Sequence, residues 1–112
     1  MDFKSKEIAI YQEPRNGIRR WIYIVGEKVM LMMVELDPNV GIPQHTHPQE
    51  QISFILSGKA EVRTSEGTYV FNEGTAYHFK PNEPHETRNP GPEKLIVLEV
   101  FAPPREDLLK GR

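Results

Sequence analysis

The chain has 112 residues, a length that fills one domain at ~100–200 residues apiece, so a single domain over 1–112 is expected. Fourteen Lys and Arg against sixteen Asp and Glu give a formal net charge of -2, without a basic block, so nucleic acid is not an expected partner. Cysteine is absent, which excludes disulfides, thiolate zinc sites, iron–sulfur clusters and cysteine nucleophiles, and any metal must be held by nitrogen and oxygen.

The chain opens Met1-Asp2-Phe3-Lys4-Ser5-Lys6-Glu7, unlike a signal peptide, and its longest apolar run is Val29 to Val34. A cytoplasmic protein with no membrane partner is therefore expected. Ten prolines and eight glycines then divide the chain into short segments rich in Val, Ile, Phe, Tyr and Thr, which reads as all-β. The predicted strands are 7–11, 19–25, 30–36, 44–47, 51–57, 59–64, 67–72, 75–79, 85–89 and 95–101. Turn residues separate most of them: Asp37-Pro38-Asn39, Ser57-Gly58, Ser65-Glu66-Gly67, Asn72-Glu73-Gly74, Pro81-Asn82-Glu83-Pro84 and Asn89-Pro90-Gly91. Strands at this spacing suit a sandwich or a closed barrel. After the last strand, Pro103-Pro104-Arg105-Glu106-Asp107-Leu108-Leu109-Lys110 permits one helical turn opened by proline.

In the fifth predicted strand Ile52, Phe54 and Leu56 occupy one parity and Ile55 the other, so both faces are apolar. The outer face needs a cover, either the N-terminal strands or a second subunit, and a homodimer is expected. Trp21 and Tyr23 share a face, as do Met30 and Met32, and packing in the core is the default for both pairs. His78 has no evident partner and reads as a structural or surface histidine. Arg15, Arg19 and Arg20 read as a solvated edge, though an anionic substrate would profit from one of them near a cavity mouth.

Chemistry concentrates at His45-Thr46-His47, with Gln51 downstream and His85 far beyond it beside a proline-rich turn. A His-x-His pair alone fits a solvated strand edge more often than a metal site. In an extended strand, however, residues i and i+2 face the same way, so His45 and His47 can aim both imidazoles into one interior. Gln51 shares their parity. Glu50 does not, although Pro48 can break the register, which keeps Glu50 as the substitute ligand.

Gly41, the two histidines, Gln51 and Gly58 form one block, and Gly74, Pro81, His85 and Asn89 form a second. This two-motif pattern, over residues 41–58 and 74–89, resembles the cupin superfamily. The resemblance implies a small jelly-roll β-barrel, or double-stranded β-helix, holding one divalent metal. It implies His45, His47, Gln51 and His85 as ligands, and nickel, manganese, iron, zinc and copper all suit such a set. Three departures stand out: Gln51 replaces the usual glutamate, the first glycine lies closer to the histidines than usual, and Asn82 replaces a turn glycine. Asparagine is the best non-glycine residue at positive φ. An all-neutral ligand set leaves the metal's charge uncompensated, which favours Lewis-acid action over redox cycling.

The tail Leu98-Glu99-Val100-Phe101-Ala102-Pro103-Pro104-Arg105 narrows the resemblance. An acid, an aromatic two residues later and an arginine four beyond that are similar to the pectin- and alginate-degradation cupins that linearise unsaturated monouronates. Those enzymes also use glutamine beside three histidines, but carry aspartate where this chain has Glu99. The resemblance implies a small anionic sugar as substrate and catalytic roles for Glu99, Phe101 and Arg105. Strand parity puts Glu99 and Phe101 on one face. Without the resemblance, Phe101 fills core and Glu99 with Arg105 makes a surface ion pair. Two other functions fit the barrel: a metal-dependent dioxygenase of the quercetinase type, and a non-catalytic sugar or small-ligand binding module.

Overall fold

A computed structural model of the chain describes residues 1–110; residues 111 and 112, the end of the expected domain, lie outside the described residues. Ten strands form in order: β1 (Ile10–Arg15), β2 (Ile18–Val25), β3 (Met30–Leu36), β4 (Gly41–His45), β5 (Glu50–Ser57), β6 (Lys59–Thr64), β7 (Gly67–Asn72), β8 (Ala76–Phe79), β9 (His85–Arg88) and β10 (Leu95–Ala102). A four-residue helical turn, α1 (Glu106–Leu109), follows two prolines. The strands build two antiparallel sheets, β1-β2-β3-β10-β5-β8 and β4-β9-β6-β7, the jelly-roll arrangement expected from the sequence. Among the described residues no helix is long and apolar enough to cross a membrane.

Turn chemistry sets this order. Asn82 takes the left-handed conformation, φ 63°, that glycine would otherwise supply in the turn before β9, and Asn39 does the same between β3 and β4 at φ 66°. Asn89 closes the far side of β9: its buried side-chain amide donates to the carbonyls of Leu36 (3.0 Å) and Glu93 (2.8 Å) and its oxygen accepts from the Gly91 N–H (2.8 Å). One buried side chain thereby ties the end of β3 to the entrance of β10.

Eight predicted strands agree with the observed ones to within a residue, and two are corrected. The first strand spans Ile10–Arg15 instead of 7–11, because residues 5–9 turn back on themselves, with the N–H groups of Ile8 and Ala9 both donating to the Ser5 carbonyl. As an edge strand paired with β2 alone, β1 tolerates Pro14 at its bulge. The fourth strand spans Gly41–His45 instead of 44–47. His47 has left the ladder, and its carbonyl accepts from the Asn82 N–H (2.9 Å).

Between the sheets lies a core of Ile22, Met30, Leu36, Ile55, Leu95 and Phe101, each at most 1% exposed. Burial of such side chains contributes about 1.5–3 kcal/mol each. The inward parity of β10 is odd and that of β5 is odd, so Glu99 and Phe101 face the interior beside Gln51 and Ser53. Met30 and Met32 are core residues, as expected. Trp21 is not: it packs at a tilt against Tyr11 on the outer face, the ring centroids 5.3 Å apart, beneath the Lys6 ammonium.

The outer face of β5 leaves Ile52, Phe54 and Leu56 exposed. The N-terminal strands do not cover it, because β1 and β2 extend the same sheet at the opposite edge beyond β3. Of the two covers expected from sequence, the one within the chain is therefore corrected.

Two glycines with nearly equal φ separate backbone strain from steric exclusion. A Cβ at Gly58 (φ 84°) would strike the Lys94 carbonyl oxygen, whereas one at Gly74 (φ 86°) meets nothing within 4 Å. In urea denaturation Gly74→Ala should cost about 1–2 kcal/mol, the left-handed penalty alone. Gly58→Ala should cost clearly more.

Candidate metal centre

Antiparallel pairing of β4 with β9 sets His45 directly opposite His85, so two imidazoles distant in sequence become cross-strand neighbours. Their ring centroids are 4.3 Å apart. His47 joins them from the loop after β4, and not as the strand partner of His45 that the i, i+2 reading expects. The coordinating nitrogens available on the three residues lie within 4.8 Å of one another.

Each ring is held through Nδ1 by a backbone carbonyl two residues away: His45 by Pro43 (2.9 Å), His47 by Gln49 (3.0 Å) and His85 by Glu83 (2.8 Å). A carbonyl only accepts, so every Nδ1 carries the hydrogen and every Nε2 presents a lone pair. Nε2 of His85 is buried without any hydrogen-bond partner among the described residues. Burial pushes the His85 imidazole down to about 4 and lowers His47 as well, which keeps both in the neutral form that binds a cation.

Gln51 completes the set from β5. Its amide nitrogen donates to Ser53 Oγ (3.0 Å) and to a carboxylate oxygen of Glu99 (3.1 Å), which turns Oε1 toward Nε2 of His47, 3.0 Å away. Two lone pairs at that distance repel unless a cation lies between them. The orphaned nitrogen of His85 and this facing pair make the donor set fit a divalent metal bound by His45, His47, Gln51 and His85. Glu50, the substitute ligand, points to the outer face, where its carboxylate lies 3.4 Å from His78. This supplies the surface role and the partner for His78.

The donors open onto a cavity of about 260 Å³, whose walls include Arg20, Met32, Thr46, Glu99, Arg105 and Leu108. Glu99 sits where burial pushes its carboxyl up to about 7, against the pull of Arg105 and Arg20. Phe101 is wholly buried, with its ring edge-on to His47 (centroids 5.5 Å apart), so it backs the histidines from the core. The Arg105 guanidinium lies over the Phe101 ring at 5.1 Å, while its fork grips Asp107 through Nη2 (2.8 Å) and Nε (3.3 Å). The surface pair of Glu99 with Arg105, the alternative open from sequence, does not form.

Three contributors were not singled out from sequence. Ser53 shares the parity of Gln51 two residues on, a signal that was available. Gln49 reaches across to donate to the Pro104 carbonyl (3.3 Å), tying the histidine loop to the tail. Gln12 donates to the Leu108 carbonyl (2.9 Å) and accepts from Arg20 (2.6 Å), and no local pattern announces either contact.

Residues 32–101 match the cupin domain family model. The chain is 26% identical over 100 residues to the pectin degradation protein KdgF of Dickeya dadantii, an alignment covering 88% of this chain and 90% of that protein. It is 26% identical over 86 residues to H2HPP isomerase of Bacillus subtilis, covering 76% of this chain but only 36% of that protein, so it spans about a third of that relative's length. Among solved structures, KdgF from Halomonas sp. superposes with a TM-score of 0.87 at 23% identity, covering 96% of this chain and 98% of that one.

Metal binding has a readout independent of activity. Adding Ni²⁺ or Mn²⁺ to chelator-stripped protein should raise its melting temperature, by about 2.7 kcal/mol of stabilisation at a hundredfold excess over Kd. His85→Ala should lose most of that rise and Glu50→Gln should keep it, as read by thermal shift with elemental analysis.

Proposed function

The chain belongs to the cupin family, and from that premise we propose that it is a metal-dependent, non-redox sugar-acid enzyme converting 4,5-unsaturated monouronates from the cyclic hemiacetal to the linear keto acid. One observation carries this reading: Glu99 lines a single small cavity together with His45, His85 and Gln51, and its carboxylate accepts from the Gln51 amide. The cavity lies near the ~300 Å³ lower end of small-molecule sites, which favours a monosaccharide over an oligosaccharide. Similarity to a pectin degradation protein along nearly its whole length supports the substrate class.

Ring opening breaks the C1–O5 bond as the C1 hydroxyl loses its proton and leaves an aldehyde. The enol at C5 then becomes a ketone as C4 gains a proton. The count of protons and electrons is unchanged, so the reaction requires a group that takes a proton from oxygen and returns one to carbon. Glu99 is that group in this reading, its carboxylate held by the Gln51 amide on one side and open to the cavity on the other. A bound divalent metal supplies Lewis-acid stabilisation of negative charge on sugar oxygens. Phe101 backs the site and, with Arg105 stacked on it, keeps water from the interior side of the cavity.

Gln51 also has a reason to be an amide in this scheme. A glutamate there would turn a carboxylate toward Glu99, where the amide now donates at 3.1 Å. The proton relay and the neutral ligand are thus one arrangement.

Proton NMR of unsaturated galacturonate, with metal-loaded and chelated protein, tests the proposal. Loss of the ring form should accelerate only when metal is present. Glu99→Gln should slow it by about 10²–10⁴-fold with unchanged metal content. Full turnover by that variant would remove Glu99 from its role. Oxygen consumption with a phenolic substrate would instead support an oxygenase, and binding without product a sensing module.

A further inference from the structure

Arg20 stands in an unusual place for a cation. Its neighbours of like parity on β2 are Ile18 and Ile22, both buried, and across the sheet it pairs with Val34, also buried. It is therefore an inward-facing arginine in an apolar row, and it lines the same cavity as Glu99, His45 and His85. Nε donates to Gln12, a neutral acceptor. Its two terminal nitrogens have no acceptor, and it makes no ion pair, among the described residues. Next to it in sequence, Arg19 points outward and is held by both Glu35 and Asp37.

Two guanidinium groups and a divalent metal facing one cavity leave an excess of positive charge. Burial and repulsion from Arg105 both weigh against the charge on Arg20. Arg105 already has its counter-ion, since Asp107 spans its fork in the way a substrate carboxylate would. Arg20 alone keeps a vacant fork. β2 lies two strand spacings from β10, ~10 Å between backbones, a span that an arginine side chain and a sugar-sized acid fill together.

We propose that Arg20 is the anchor for the substrate's carboxylate, a specificity-determining residue that restricts the cavity to organic acids. This rests on the reading of the cavity as the reaction site. Gln12 is the positioning residue, fixing the guanidinium while bracing the carbonyl of Leu108.

The test uses metal-loaded wild type, Arg20→Gln, Arg20→Lys and, as an outer-face control, Arg19→Gln. Calorimetric titration with D-galacturonate and D-galactose should show a ten- to hundredfold loss of galacturonate affinity in Arg20→Gln, with galactose unaffected. Arg20→Lys, which keeps the charge and the fold without the fork, should fall between. With unsaturated galacturonate as substrate, KM should rise far more than kcat falls. Acetate and malonate are titrated alongside, so that a failed choice of reaction is told apart from a failed anchor. Carboxylate binding that depends on Arg20 in a protein inactive on the uronate upholds the anchor and removes the reaction. Carboxylates that bind neither protein, or bind Arg20→Gln as tightly as wild type, overturn it.

Discussion

Two lone pairs, on Nε2 of His47 and Oε1 of Gln51, face each other 3.0 Å apart inside the barrel, and the rest of the site is arranged to keep them there. Left alone they repel. The hydrogen bonds that would relieve the repulsion by turning either side chain are already in use: Nδ1 of His47 is committed to a backbone carbonyl, and the Gln51 amide nitrogen to Ser53 and Glu99. His45 and His85 are fixed in the same tautomer by the same device. A protein that spends this much orientation on unprotonated nitrogens has prepared a place for a cation, and the backbone has set the protonation pattern before any metal arrives.

Such a site is costly without a frame, because polar groups withdrawn from water lose hydration that only well-placed partners restore. The frame here is the pairing of β4 with β9, which fixes His45 against His85, and of β5 with β10, which fixes Gln51 against Phe101. Each pairing belongs to a different sheet. The centre therefore sits between the layers, braced on one side by the core and open on the other to the cavity.

The electrostatics of that cavity form one coupled system. Glu99 accepts from Gln51 and is surrounded by Arg20 and Arg105, while burial works against its ionisation. Arg105 is balanced by Asp107, five residues past the end of β10 and two past its own position. Arg20 feels Glu99 and Asp107 at a distance but makes no ion pair with either. In the proposed reading an acid substrate supplies the negative charge that Arg20 lacks.

How much of this was legible in the chain is seen residue by residue. The all-β class, eight of ten strands and the turn role of Asn82 follow from local chemistry: proline and glycine placement, β-branched alternation, and asparagine's tolerance of positive φ. The histidines, Gln51, Glu99 and Arg105 were legible as a set through their resemblance to the motifs of a known family. Their geometry was not. His47 shares an interior with His45 by leaving the strand, since its carbonyl is claimed by Asn82, a contact across 35 positions. Glu50 and Gln51 differ only by one step of parity, and the pairing of β5 between β10 and β8 turned Glu50 outward to His78. Arg20 looked like one charge on a basic edge, because sequence does not say that β2 lies beside β3 and faces inward at even positions. Residue identity fixes what each segment is able to do locally; strand order and register, which arise from the burial of the whole core at once, decide which of those abilities meet.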